Sequence, residues 1–339
     1  MMEITKRDVV AGSARRACSW LLPLALVATA LMAGCQWSQK KNSIPQQDTG
    51  EREMAQNPVP PPQEIAPAAF ERTEKEGPDV SQTGNSADQP VKKKQSFAES
   101  FLFQPVKYPK GFEGLIVEGQ RVEFKSEDGT ELDGRYFRGV NPKQVVVFFH
   151  GNGGNLGFRA SRMAEIQKRH QVAVFLFDYR GYGRSKGKPT ISGVTADGRA
   201  AVKKAAELGN VQPSDVIVMG RSMGGAVAIQ AAILFQCKGL IIESSFTSFK
   251  DIAKYHAGMF SFLAPGNGFD SENAIRNYRG KVLISHGTDD KVVPVEQGKR
   301  LFAAANQPKH FYEIEGGGHN DAMPANYDQL LAEFFSSFR

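Results

Sequence analysis

Several short stretches of the chain, Val145–Phe149, Val172–Phe177, Val216–Met219, Leu240–Ile242 and Val282–Ile284, are almost unbroken by polar residues and rich in β-branched and aromatic side chains. Runs of this kind predict strands buried on both faces. Between them lie stretches with helical spacing, Leu156–Arg169, Val194–Leu208, Met223–Phe235 and Val295–Ala305, and the chain closes with a strand at Phe311–Ile314 and a helix at Tyr327–Phe338. Upstream, Val122–Lys125 and Leu132–Phe137 alternate apolar and polar residues around Asp128-Gly129, the pattern of a hairpin. Strand alternating with helix predicts an α/β domain, a doubly wound and mostly parallel sheet with helices on both faces. Chemistry in such a domain sits on loops at the C-terminal ends of the strands.

The first third of the chain has a different character. Lys6, Arg7, Arg15 and Arg16 precede an apolar run from Cys18 to Ala33, followed by Gly34 and Cys35. A basic start, an apolar middle and small residues before a cut site describe an export signal rather than a fold element. The run is short for a membrane span and contains Pro23, although an uncleaved anchor helix is the alternative. Its ending, Met32-Ala33-Gly34-Cys35, resembles a bacterial lipobox, with Met32 where Leu is usual. That resemblance implies a signal peptide over residues 1–34 and a lipidated Cys35 as membrane anchor. Gln36, rather than Asp, then implies the outer membrane, facing the periplasm. From Gln36 to about Gln95 the chain is rich in Pro, Gln, Glu, Ser and Lys, so residues 35–96 read as a lipidated cysteine and a disordered tether. A flexible chain of roughly 60 residues reaches about 45 Å. The folded domain is expected over residues 97–339. The cluster Phe97, Phe101, Leu102 and Phe103 at its start is expected to pack on it rather than dip into headgroups.

Composition narrows the chemistry. The net charge is +6 over 339 residues, but acidic and basic side chains are interleaved, with no basic run or aromatic-basic stripe of the sort that tracks nucleic acid. Cys18, Cys35 and Cys237 lack paired metal spacing, which excludes a cysteine-based zinc site, and Cys237 reads as a small buried thiol. No cofactor or metal is expected.

The pattern Gly-x-Ser-x-Gly occurs twice, at Gly183–Gly187 and Gly220–Gly224, and with 34 glycines the bare pattern is weak. Context separates the two. Ser222 directly follows an apolar strand and precedes a helix of small residues, as a nucleophile elbow requires. Ser185 lies among Gly and Pro where no helix can start, and is assigned a structural role. A serine hydroxyl needs a base to take its proton. Of six histidines, His319 alone lies in the loop after the last strand, in Gly316-Gly317-Gly318-His319, where the chain order serine, acid, histidine places that base. His150 and His286 end buried strands and are expected to fix loop geometry. The loop after Val282–Ser285 offers two carboxylates, Asp289 and Asp290; the pattern favours Asp290 as the acid, with the Asp289 side chain bonding local amides. The amides of Met223 and, in His150-Gly151-Asn152-Gly153-Gly154-Asn155, of Asn152 are the expected oxyanion donors. A phosphate-binding glycine loop is the rival reading of that stretch, but its spacing fits neither nucleotide fingerprint.

Taken with Asp178-Tyr179-Arg180-Gly181-Tyr182-Gly183-Arg184-Ser185, His286-Gly287-Thr288-Asp289-Asp290-Lys291-Val292-Val293-Pro294 and Gly317-Gly318-His319-Asn320, these motifs resemble the serine α/β-hydrolases related to the Bem46 proteins and the mammalian α/β-hydrolase domain-containing proteins 13 and 17. The resemblance covers about residues 97–339 and places Ser222, Asp290 and His319 on the family's triad positions. It implies an α/β-hydrolase fold with a small cap at about residues 244–280, here carrying Phe246, Phe249, Tyr255, Met259, Phe260, Phe262 and Leu263. Such a lid suits an acyl chain or aromatic ester, unless its side chains simply pack on the body. The expected activity is cleavage of small acyl esters or lipids through an acyl-enzyme. A peptidase or thioesterase with the same triad, or a non-catalytic binding protein on this fold, are the alternatives.

Overall fold

A computed structural model describes residues 103–108, 118–257 and 268–338. Cys35, Phe97, Phe101, Leu102, Met259, Phe260, Phe262 and Leu263, and with them the expected signal, tether and part of the cap, lie outside the described residues. In chain order the main elements are β1 Gln120–Lys125, β2 Glu131–Phe137, β3 Asn141–Phe149, α1 Ala160–His170, β4 Val172–Phe177, α2 Ile191–Gly209, β5 Ile217–Arg221, α3 Met223–Phe235, β6 Gly239–Glu243, α4 Phe249–Ala257, α5 Ser271–Ile275, β7 Lys281–Gly287, α6 Val295–Ala304, β8 Lys309–Ile314 and α7 Ala325–Ser336. The eight strands form one sheet in the order β8-β7-β6-β5-β3-β4-β2-β1. All neighbours from β8 to β4 run parallel, and β2 joins β4 and β1 antiparallel. This is the α/β-hydrolase fold, and the hairpin turns where expected, with Gly129 at φ 79 and its N–H donating to Ser126 O.

The unbroken apolar runs are explained by the two faces they serve. Along β4, Ala173, Phe175 and Phe177 enter one core with α2, α3 and α6, while Val172, Val174 and Leu176 enter a second core with α1 and α7. The same alternation holds for Val145, Val147 and Phe149 against Val146 and Phe148 on β3. Both faces are covered, so the runs are apolar on both. Helix α3 is apolar almost all round because it too is enclosed, with Met223 to Ile229 buried without a break. Cys237, just past its end, is buried against Pro213 O, and burial pushes its thiol up to about 12. Phe103 is buried in the core beside α2 and α3, so the part of the aromatic cluster that is described packs on the domain.

Two helix starts differ from expectation by three residues or more. The stretch expected as one helix from Leu156 to Arg169 is a 3-10 turn, Leu156–Phe158, followed by α1. Asn155 caps the turn by accepting from Gly157 N, and Leu156 N donates to Asp178 Oδ1 at 2.7 Å, which tightens the chain before a regular helix can begin. Helix α2 starts at Ile191 rather than Val194, because Thr190 accepts from Gly193 N and caps it despite the local Ser-Gly sequence.

Candidate active site

Strand β5 ends at Arg221 and helix α3 begins at Met223, leaving one residue to make the turn. That residue, Ser222, has φ 55 and ψ −125, a conformation rarely taken by a residue with a side chain. Hydrogen bonds hold it there: Ser222 N donates to Glu243 O, Gly225 N to Ser222 O, and Ser245 Oγ to Ser222 O at 2.8 Å. The flanking glycines are required for space. A Cβ at Gly220 would lie 2.3 Å from Gly224 O, and one at Gly224 would lie 2.0 Å from Phe149 O.

The strained turn lifts Ser222 Oγ to 3.1 Å from His319 Nε2, and the Nδ1–H of the same ring donates to Asp290 Oδ2 at 2.7 Å. The three residues stand after β5, β7 and β8, at the C-terminal end of the sheet. Asp290 is 4% exposed and its other oxygen, Oδ1, accepts the N–H groups of Val292 and Val293 at 2.9 and 2.8 Å. Burial pushes the Asp290 carboxyl up, but His319, His286 and the Val293 amide outweigh it and hold it well below the usual carboxylate range. The group facing the imidazole is therefore charged at neutral pH.

The role expected of the Asp289 side chain falls to its neighbour. The local amides are bonded by Asp290, and Asp289 is exposed, donating its backbone N–H to Gly317 O at 3.0 Å. One carboxylate takes both tasks because its two oxygens point to different partners, and the turn needs no second acid. Thr288 N donates to Ile314 O beside it, so backbone bonds tie the acid loop to the histidine loop.

A cluster not foreseen from the sequence braces the same loops. Arg221 Nη2 donates to His319 O at 2.5 Å and to Asp321 O at 3.4 Å, bridging the end of β5 to the histidine loop. The fully buried Glu243 carboxylate receives Arg162 in a two-pronged ion pair at 2.8 and 2.5 Å and the Tyr327 hydroxyl at 2.9 Å. Burial pushes Glu243 up, yet the Arg162 charge and hydrogen bond prevail and its pKa is lowered. Burial lowers Arg221, while Glu243 and Asp290 support its charge.

On the other side of Ser222, Gly151 lies so close that a Cβ there would stand 3.4 Å from Ser222 Cβ. This places the His150–Asn155 loop against Ser222. Asn152 Oδ1 accepts from the Tyr182 hydroxyl at 2.8 Å and from Gln104 N at 3.1 Å. His150 is fully buried, with Nδ1 2.7 Å from Gly151 O and Nε2 3.4 Å from Asp178 Oδ1. His286 Nε2 donates to Val293 O at 2.8 Å, so both strand-end histidines hold loops. Ser185 is 1% exposed, donates to Asp178 O at 2.7 Å and accepts from Asp133 N at 2.9 Å. Of the cap residues, Phe246 and Phe249 are buried and stacked at 5.1 Å, so they pack on the body, whereas Tyr255 is exposed. Helix α4 docks on the acid loop through His256 Nε2 and Val292 O at 2.8 Å. Among the described residues no group of three His, Cys, Asp or Glu side chains could hold a metal ion.

Comparison with known proteins agrees with this fold. Residues 140–274 match the family model described as serine aminopeptidase, S33. The chain is 30% identical over 248 residues to the Salmonella typhi protein YfhR, covering 66% of this chain and 82% of that one. It is 30% identical over 254 residues to Bem46 of Schizosaccharomyces pombe, covering 69% and 85%. To human alpha/beta hydrolase domain-containing protein 17B it is 31% identical over 202 residues, covering 58% and 67%. Among solved structures, a Pyrococcus furiosus esterase superposes with TM-score 0.56 at 21% identity, covering 69% of this chain and 97% of that one. Acetyl xylan esterase 1 from Thermoanaerobacterium superposes with TM-score 0.52 at 20% identity, covering 64% and 82%.

Proposed function

Because the chain belongs to the α/β-hydrolases of the Bem46 family, we propose that it is a metal-independent serine hydrolase that cleaves carboxylic esters through an acyl-enzyme on Ser222. One observation carries this reading: Ser222 Oγ on a strained elbow, 3.1 Å from His319 Nε2, with Nδ1 of the same ring 2.7 Å from Asp290. Ser222 Oγ attacks the acyl carbon as His319 Nε2 takes its proton. The C–O bond to the alcohol then breaks and Nε2 returns the proton to the leaving oxygen. Water, activated by the same nitrogen, releases the acid and restores Ser222. Asp290 keeps Nδ1 protonated and stabilises the imidazolium. The amides of Met223, first in helix α3, and of Asn152 are the donors for the oxyanion, a contribution of about 3–4 kcal/mol for a single donor.

The purified domain should turn over short p-nitrophenyl esters and be labelled at Ser222 by a fluorophosphonate. Folded protein that does neither sinks the proposal and favours a binding protein on a hydrolase fold. The family model's description as a serine aminopeptidase favours a second reading, in which an amide takes the place of the ester. Aminoacyl p-nitroanilides assayed beside the esters and a thioester separate these by kcat/KM.

The lipobox-like Met32-Ala33-Gly34-Cys35 supports attachment to the cell envelope through acylated Cys35, with an outer-membrane, periplasm-facing position. Incorporation of a labelled fatty acid that is lost in Cys35→Ala tests it. Labelling that persists in the variant ends this part of the proposal.

A further inference from the structure

The loop carrying Asn152 has a mechanical problem. Gly151 comes within van der Waals reach of Ser222, and Gly153 and Gly154, the latter at φ 83, follow directly after Asn152. Glycines lose more freedom on ordering than any other residue, so this loop cannot hold a fixed shape unaided. Its partner lies 48 residues earlier in the chain. Gln104–Pro105 pairs in parallel with Gly153–Gly154, Gln104 N donates to Asn152 Oδ1 at 3.1 Å, and Val106 N donates to Gly154 O at 3.3 Å.

The same few residues reach a second loop. Val106 O accepts from Gly183 N at 3.0 Å as well as from Asn155 Nδ2 at 3.2 Å, and Lys107 Nζ donates to Ser185 O at 2.5 Å. Phe103, buried in the core, pins one end. The Tyr108 ring closes the other, lying against Gly157 and Gly183 with the Arg184 guanidinium 5.2 Å above it.

We propose that residues 103–107 are a strap that sets the working shape of the Asn152 loop, so that the stretch by which the upstream chain enters the domain is part of the active site. This rests on the hydrolase reading above. Gln104 acts through its backbone N–H and through Asn152, as a positioning residue. With Oδ1 of Asn152 held by both Gln104 N and the Tyr182 hydroxyl, and the next two residues paired to the strap, the Asn152 amide cannot rotate away from an oxyanion beside Ser222.

Gln104→Pro in the full chain deletes that one N–H while suiting an extended backbone. Turnover of p-nitrophenyl acetate should fall about tenfold in kcat, with KM within about twofold, since full loss of an oxyanion donor costs about 10²–10³. Asn152→Ala should also lower kcat, and adding Gln104→Pro to it should cost less than about a further twofold, because both act through one contact. Independent losses that multiply, or an unchanged kcat in folded Gln104→Pro, overturn the strap. Should that variant fail to fold, Phe103→Ala decides: amide exchange at residues 151–155 and Gly183 should rise as kcat falls, with β3 and β5 still protected. No change in either overturns it. The two proposals fail separately. Unmodified protein that neither turns over ester nor reacts with a fluorophosphonate refutes the hydrolase; active, labelled protein indifferent to Gln104→Pro refutes the strap alone.

Discussion

Gly183-Arg184-Ser185-Lys186-Gly187 and Gly220-Arg221-Ser222-Met223-Gly224 share one five-residue pattern, down to the arginine, and the fold puts them to opposite uses. In the first, the glycines carry the unusual backbone, with φ 45 at Gly183 and 80 at Gly187, and Ser185 turns inward to bond Asp178 O and Asp133 N. In the second, the serine itself has φ 55 and its glycines serve by leaving space. The arginines diverge as well: Arg184 covers Tyr108, whereas Arg221 holds the His319 carbonyl. The pattern alone carries no chemistry. A strand ending one residue before a helix forces strain onto Ser222, and a loop with room for glycine turns relieves Ser185 of it.

The largest expected effect breaks the comparison if it fails. Ser222→Ala should lower ester turnover on the order of 10⁶-fold with an unchanged melting temperature, while Ser185→Ala keeps its turnover per folded molecule. Next, Asp290→Asn should cost about 10⁴-fold in kcat, since the imidazole loses its orienting carboxylate, whereas Asp289→Asn stays within about threefold. Equal losses at the two aspartates, in steady-state kinetics on folded protein, would contradict the geometry. Arg221→Met should lower kcat by about 10- to 100-fold with little change in KM, because a base displaced by about 1 Å is a poor one. Arg184→Met, at the matching position of the other motif, should not.

Smaller effects fall on stability and sharpen the contrast. Ser185→Ala leaves the buried Asp133 N–H without its acceptor and should cost about 1–3 kcal/mol in urea unfolding, unlike Ser222→Ala. The smallest concerns acid. Asp290 is held below its ordinary pKa by folding, so its contribution is complete above the unfolded value of about 3.9 and is lost as pH falls below it. Asp290→Asn should therefore lose less stability than the parent between about pH 5 and pH 3, measured by denaturant titration at each pH.

Much of the fold could be read along the chain because each signal was local. The apolar runs of β3 to β7 had to be sheet interior, and a serine between strand and helix had to be strained. Asp290 and His319 followed from their loops. What escaped were contacts between distant residues of ordinary type. Nothing near Glu243 marks it as the partner of Arg162 and Tyr327, and nothing near Gln104 marks its N–H as a donor to Asn152. The role expected of the Asp289 side chain fell to Asp290 for a related reason, since which of two adjacent carboxylates faces inward depends on where the facing loop lies.

The sequence by itself determined the layered α/β architecture and the order in which Ser222, Asp290 and His319 follow their strands, because hydrophobic period and turn chemistry act over a few residues. The tertiary structure alone decided which oxygen faces which nitrogen, which of two matching motifs is strained, and which surface segment holds the glycine loop in place. Those are relations between loops far apart in the chain, and they exist only once the sheet has brought the C-terminal ends of β3, β5, β7 and β8 together.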